Sequence, residues 1–189
     1  MASILIIDNY DSFTYNLYHL VRQNTSLPID IYKNDELPVS KVIDYDYIII
    51  SPGPDLPDKA GITKQVITSF GSHKKILGVC LGHQAIGEVY GASLKLLPEV
   101  KHGQQTKVIQ TSTLSSLFKD LPPTFEAGRY HSWVINPNEI RLPLIVTAKD
   151  EDGQIMAIQH KTHEVYGVQF HPESIMTPLG HKMIQNFIK

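Results

Sequence analysis

One cysteine, Cys80, stands in the 189 residues. With no second thiol there is no internal disulfide, which suits a reducing compartment. Charge is also sparse: charged residues make up 19% and the net charge is -2. That excludes the basic surface by which most nucleic-acid binders hold phosphate. No apolar run approaches the roughly 20 residues of a membrane-spanning helix, so no membrane partner is expected. The N-terminus, Met1 to Asp8, has a short apolar stretch and no basic residue ahead of it. It reads as a first strand and not as a signal peptide. H-E-x-x-H is missing, and the nine histidines are scattered, with His160 and His163 three apart and His131 in another β-type region. No metal is expected from that pattern. Repeats, low-complexity tracts and long linkers are missing too. The hydrophobic fraction is 42%, enough for one substantial core. The expectation is a cytoplasmic, soluble, single domain spanning residues 1–189.

What is present has a clear order. Ser3 to Asp8 is apolar and ends in an acid, as a buried parallel strand does. Asp8 to Ser12 is turn-rich, and Ser12 can cap a helix whose apolar positions are Phe13, Leu17, Leu20 and Val21. Asn24 to Pro28 breaks that helix. Ile29 to Tyr32 and Tyr45 to Ile50 read as strands. Ile62, Val66, Ile67 and Phe70 predict a second helix, Ile76 to Val79 a strand, and His83 to Tyr90 a third helix. Strands alternating with helices mean a mostly parallel sheet flanked by helices, the α/β class. After Gly91 the pattern changes. Residues 92–110 and 124–170 hold short β-type runs, with Asp152-Gly153 a hairpin turn between two of them. These strands are expected to be antiparallel and to extend the sheet or pack beside it. Leu179 to Ile188 is apolar at helical spacing and closes the core.

The chemistry centres on Gly78-Val79-Cys80-Leu81-Gly82, a buried strand running directly into a helix. Glycine-x-nucleophile-x-glycine at such a corner is the nucleophile elbow, where the turn is too tight for neighbouring Cβ atoms. A helix N-terminus favours the thiolate. The simpler reading is a core cysteine. A base and its orienter are available in His171-Pro172-Glu173. If that segment is extended, residues two apart point the same way. His171 then faces the sulfur with Glu173 behind it, although a solvated turn is the simpler account of those residues. Ser51-Pro52-Gly53-Pro54 fixes one glycine between two prolines. Its N–H can pair with that of Leu81 as an oxyanion hole. Asp8-Asn9-Tyr10, Ser51 to Pro54 and Cys80-Leu81-Gly82 all follow strand carboxyl ends, the ligand edge of an open α/β sheet.

Together these residues resemble the triad-type glutamine amidotransferases, which carry a flavodoxin-like α/β fold. Cys80 lies in Gly-Val-Cys-Leu-Gly-His-Gln and His171-Pro-Glu173 follows Val-Gln-Phe. The stretches Asp8 to Asn16, His102-Gly103 and Arg129-Tyr130-His131-Ser132 are similar to the amidotransferase subunit of anthranilate synthase and of aminodeoxychorismate synthase. The resemblance covers essentially the whole chain. It implies that Cys80 attacks the carboxamide of glutamine, that His171 moves the proton, and that Glu173 orients His171. Gly53 and Leu81 supply the oxyanion donors. Gly53, Gln84, Ser132 and the backbone of Trp133 hold glutamine; Gln84 is one helical turn beyond Cys80 and so can face the same pocket. The resemblance also implies no cofactor in this chain, and a chorismate-binding synthase subunit as partner. Asn9, Tyr10, Asp11, Ser12 and His102 are the expected docking surface. Two positions depart from the family pattern: Asp55 where glycine is frequent, and Trp133 where leucine is common. The competing readings are a cysteine hydrolase or peptidase on a similar sheet, and a binding subunit without activity.

Overall fold

The structure is a computed structural model and describes residues 2–113 and 115–189. Its strands are β1 (Ile4–Asp8), β2 (Ile29–Lys33), β3 (Tyr47–Ile50), β4 (Lys75–Val79), β5 (Leu94–Gln110), β6 (Thr124–Ile135), β7 (Leu144–Asp150), β8 (Ile155–His160) and β9 (Val165–Val168). Its α-helices are α1 (Thr14–Asn24), α2 (Thr63–Phe70), α3 (Leu81–Val89) and α4 (Gly180–Ile188). The strands form one sheet in the order β2-β1-β3-β4-β9-β8-β7-β5-β6. The β2-β1-β3-β4-β9 part is parallel throughout. It has the flavodoxin-like order, with the last parallel strand drawn from near the C-terminus. The rest is antiparallel and continues the same sheet.

Alternation along β1 shows how the core is divided. Ile4 and Ile6 enter the apolar cluster that α1 and α4 cover through Leu17, Val21, Met183 and Phe187. Leu5 and Ile7 enter the cluster covered by α2 and α3 through Val66, Ile67, Phe70 and Ile86. All four β1 residues are buried, as a strand covered on both faces must be.

Three local expectations need correction. The first free N–H at the start of α1, that of Phe13, goes to the carboxylate of Asp11 at 2.7 Å and not to the Ser12 hydroxyl. Asp8 sets the next bond, accepting from the Thr14 hydroxyl at 2.7 Å. Tyr45 lies outside β3, at the end of a 3-10 turn whose Val42 carbonyl takes its N–H. Residues 94–110 form one strand of 17 residues and not several short runs. Pro98 and Gly103 break the alternation, and both breaks are irregularities in the register against β6.

Candidate active site

The elbow is formed as its glycines predict. Cys80 joins β4 to α3 with φ 52° and ψ -98°, a region that side-chain-bearing residues avoid. It is held there by its own N–H, which donates to the Val168 carbonyl of β9 at 2.8 Å, and by its carbonyl, which starts α3 by accepting from Gln84 at 3.0 Å. A Cβ on Gly82 would lie 2.8 Å from the Ile50 carbonyl oxygen, so α3 can pack this close to β3 only with glycine there. Strain at a nucleophile is characteristic of such corners.

His171 follows β9 and is clamped from both sides. Its N–H donates to the Gly128 carbonyl of β6 at 3.0 Å, and its own carbonyl accepts from the Thr177 hydroxyl at 2.6 Å. The segment behind it is not extended. Ser174 N–H closes back on the His171 carbonyl at 3.2 Å, making a turn with Pro172 at the position proline favours. The turn, and not a two-residue strand repeat, brings Glu173 under the ring. His171 Nδ1 donates to Glu173 Oε1 at 2.7 Å, with both side chains nearly inaccessible. Because the carboxylate can only accept, Nδ1 carries the proton and Nε2 is left toward the sulfur. Nε2 makes no aligned hydrogen bond. Burial opposes charge on this ring, but the Cys80 sulfur and Glu173 outweigh it and push its pKa up to about 10.

A cavity of about 490 Å³ opens over Cys80. Gly53, Gln84, Ser132 and Trp133 line it, as do His131, Tyr130 and Asp55. Ser132 reaches it through a break in pairing. Leu96 pairs with Trp133 and Lys101 with His131, so four residues of β5 loop past Ser132 alone. Its backbone is thereby left out of the ladder. Asp55 has φ 65°, the left-handed conformation that glycine adopts without strain and aspartate tolerates better than most residues. Asp55 thus holds a conformation that a glycine would take readily at this position.

Around the triad stand residues that pattern reading passed over. The Tyr130 ring meets His171 at 4.9 Å and Phe13 at 5.1 Å, and Phe13 meets His171 edge-on at 5.6 Å. Phe13, read as a core residue, thus walls the His171 imidazole. His102 packs edge-on against the outer side of Tyr130 at 5.4 Å. Tyr10 is 54% exposed, and Ile175, two residues beyond Glu173, is 95% exposed. Asn9 departs from its expected place on the docking surface. It is buried, its Nδ2 donates to the Ser51 carbonyl at 3.0 Å, and its Oδ1 accepts from Asn34 and Thr63. It ties the β1 and β3 loops together beneath Gly53.

Two histidines near the site stay neutral. Burial pushes His83 down to about 3; its ring lies wholly buried against Gly167 without an aligned hydrogen bond. Burial, and then the Arg129 guanidinium, push His131 to about 3. An unfolded histidine takes its proton near pH 6.5. Below that pH the unfolded chain binds protons that these folded sites refuse, so stability falls as pH drops from about 6.5 toward 3. His171 acts in the opposite sense, its contribution being complete below about pH 6.5 and lost as pH rises toward 10. In urea unfolding at pH 7 and pH 5, His83→Met is expected to reduce the acid loss by about 2 kcal/mol. An acid loss equal to that of the wild type would mean that His83 is charged in the folded protein.

A family model described as glutamine amidotransferase class-I matches residues 5–189. The chain belongs to that family. Anthranilate synthase component 2 of Saccharolobus solfataricus is 47% identical to it over 100% of this chain and 98% of the relative. Aminodeoxychorismate synthase component 2 of Klebsiella aerogenes is 42% identical over 98% of both. Among solved structures, a putative GMP synthase subunit of Thermoplasma acidophilum superimposes with a TM-score of 0.88 at 26% identity, covering 100% of this chain and 92% of that one. In this class-I amidotransferase the parallel sheet carries the elbow, while the antiparallel strands supply the other wall of the cavity. Among the described residues, no helix is long and apolar enough to cross a membrane.

Proposed function

We propose that this chain hydrolyses glutamine at Cys80 and passes the ammonia to a chorismate-using synthase subunit. The observation that carries the reading is a buried His171–Glu173 pair at an elbow cysteine, beneath a cavity lined by Gly53, Gln84, Ser132 and Trp133. Cys80 sulfur attacks the carboxamide carbon of glutamine, and the carbonyl oxygen takes up the displaced electron pair. The N–H groups of Gly53 and Leu81 hold that oxyanion; Leu81 opens α3, where no intrahelical acceptor exists for its N–H. His171, holding the thiol proton, gives it to the departing nitrogen, and ammonia leaves a γ-glutamyl thioester. His171 then takes a proton from water, which attacks the thioester carbon and releases glutamate and the thiol. Glu173 keeps the ring oriented and balances its charge in both halves. Every step uses the chain's own groups and water, so we assign no cofactor. Gln84 Oε1, on the side of the amide away from the engaged Nε2, is the acceptor for the α-amino group of glutamine.

The relatives named component 2 support a partner that consumes ammonia to make anthranilate or 4-amino-4-deoxychorismate, and we place that work in the cytoplasm. Tyr10 and Ile175 are exposed large side chains, and we assign Tyr10, Asp11, Ser12 and His102, with Ile175, to docking. The test measures glutamate release with and without each candidate synthase subunit plus chorismate, and maps the adduct of a glutamine-shaped diazoketone. Release that rises with one partner, and an adduct on Cys80, are expected; the aromatic product identifies the pathway. No release with either partner, or an adduct elsewhere, would sink the reading. Peptide or ester hydrolysis in its place would favour a cysteine hydrolase.

A further inference from the structure

A line of hydrogen bonds crosses the sheet from β7 to the nucleophile, and its direction is forced at every link. It begins at a buried ion pair, Arg129 Nη1 to Asp150 Oδ2 at 2.6 Å. Arg129 Nε donates to His131 Nε2 at 3.0 Å. A guanidinium can only donate, so His131 Nε2 must accept and its proton sits on Nδ1. Nδ1 then donates to the Trp133 carbonyl at 3.0 Å. That carbonyl also takes Gln84 Nε2 at 2.8 Å, which settles which end of the Gln84 amide is nitrogen. The second hydrogen of the same nitrogen reaches Gln169 Oε1 at 3.3 Å. Gln169 therefore turns its own Nε2 to Cys80 Sγ, at 3.6 Å.

Gln169 is fully buried, and nothing in the mechanism above uses it. A thiolate sulfur accepts hydrogen bonds better than a thiol, so an amide N–H held against it favours the ionised nucleophile. We infer that Gln169 is a catalytic residue of this site, its amide N–H holding the Cys80 sulfur in place and favouring its thiolate. Gln84 and His131 are positioning residues that keep the amide turned that way. The inference rests on Cys80 being the nucleophile.

Other groups also act on the sulfur. His171 faces it from the loop after β9, with Glu173 behind and Asp11 of the β1–α1 loop acting on both. His131 of β6 lines the same cavity and His83 lies in the first turn of α3, and both are neutral above about pH 3. None of these groups is hydrogen-bonded to the Gln169 side chain, so a shift in the cysteine's profile reports the amide.

The experiment is the pH dependence of Cys80 alkylation by iodoacetamide in the full chain, followed by intact mass. Glutamine turnover with the synthase partner is measured in parallel. In Gln169→Met the midpoint of the alkylation profile is expected to rise by about one pH unit or more, with kcat down roughly tenfold or more. Gln84→Met is expected to move the midpoint the same way by less, while raising KM for glutamine. Gln169→Glu, which keeps the shape and puts a carboxylate against the sulfur, is expected to raise the midpoint further; it serves if the methionine variant does not fold. A folded variant at position 169 with the wild-type midpoint would overturn the inference, even with turnover reduced. A wild type that alkylates normally yet releases no glutamate with any partner would instead count against the proposed function.

Discussion

Cys80→Ala is expected to abolish glutamate release, and Glu173→Gln to lower kcat about 10³- to 10⁴-fold with KM little changed. Alanine removes the attacking atom, and no other thiol exists in the chain to replace it. The glutamine variant is more informative because it alters neither volume nor the cavity. Glu173 Oε1 now accepts from His171 Nδ1 at 2.7 Å, which keeps Nε2 free toward the sulfur. A side-chain amide can turn its NH2 toward Nδ1, which then becomes the acceptor. The ring proton moves to Nε2, and His171 can no longer take one there. The charge that holds the imidazolium is lost at the same time, so the His171 pKa must fall from about 10. Steady-state kinetics with the partner present, and a histidine titration by NMR, check the two halves. A loss under tenfold would mean that His171 is oriented by its backbone clamp alone.

Gly180→Ala is expected to be the most damaging change made outside the cavity. Gly180 is the first residue of α4 and is buried. A Cβ there would run into the Pro172 carbonyl, with further close approaches to the Pro172 backbone at 2.8 and 3.1 Å. All three atoms are Pro172 backbone, so no flexible side chain can yield. Pro172 lies between His171 and Glu173, and any displacement of it moves both members of the pair. Overpacking of this kind costs about 1–3 kcal/mol. A shift near 1 Å in a catalytic group lowers turnover about 100-fold. Gln84, Ser132 and Trp133 belong to other elements, so KM should change far less than kcat. The check is denaturant unfolding alongside kinetics, and a folded variant with wild-type kcat would show that α4 can slide away from the turn.

These expectations differ in how much of them a reader of the sequence could have had. The elbow was legible because its determinants are local: two glycines, an apolar strand before and a helical pattern after. The parallel half of the sheet was legible for the same reason. The spacing of His171 and Glu173 suggests strand alternation, but a proline turn brings them together. The length of β5 was hidden because Pro98 and Gly103 interrupt its alternation where the strand bulges. The role of Phe13 was hidden because an aromatic facing a catalytic ring has the same spacing as one facing the core. Asn9 matched the pattern but sits inside, its amide joining loops whose proximity only the folded sheet creates. The line from Asp150 to Gln169 could not be read at all. Its members come from four elements, β7, β6, α3 and the end of β9, and no local pattern connects them.

The pairing of β4 with β9 has a consequence for how this site can change over time. Val79 and Val168 are register partners, and Cys80 and the segment leading to His171 leave those two neighbouring strands at the same edge. The span between nucleophile and base is thus measured in strand spacings, about 4.8 Å each, and not in residues of chain. All of β5 to β8 lies between them in sequence without lying between them in space. Away from α3 and the β6 residues that line the cavity and clamp His171, that intervening stretch can lengthen or shorten while the reacting atoms keep their separation. The separation of Cys80 from His171 is therefore insulated from the length of the chain that joins them.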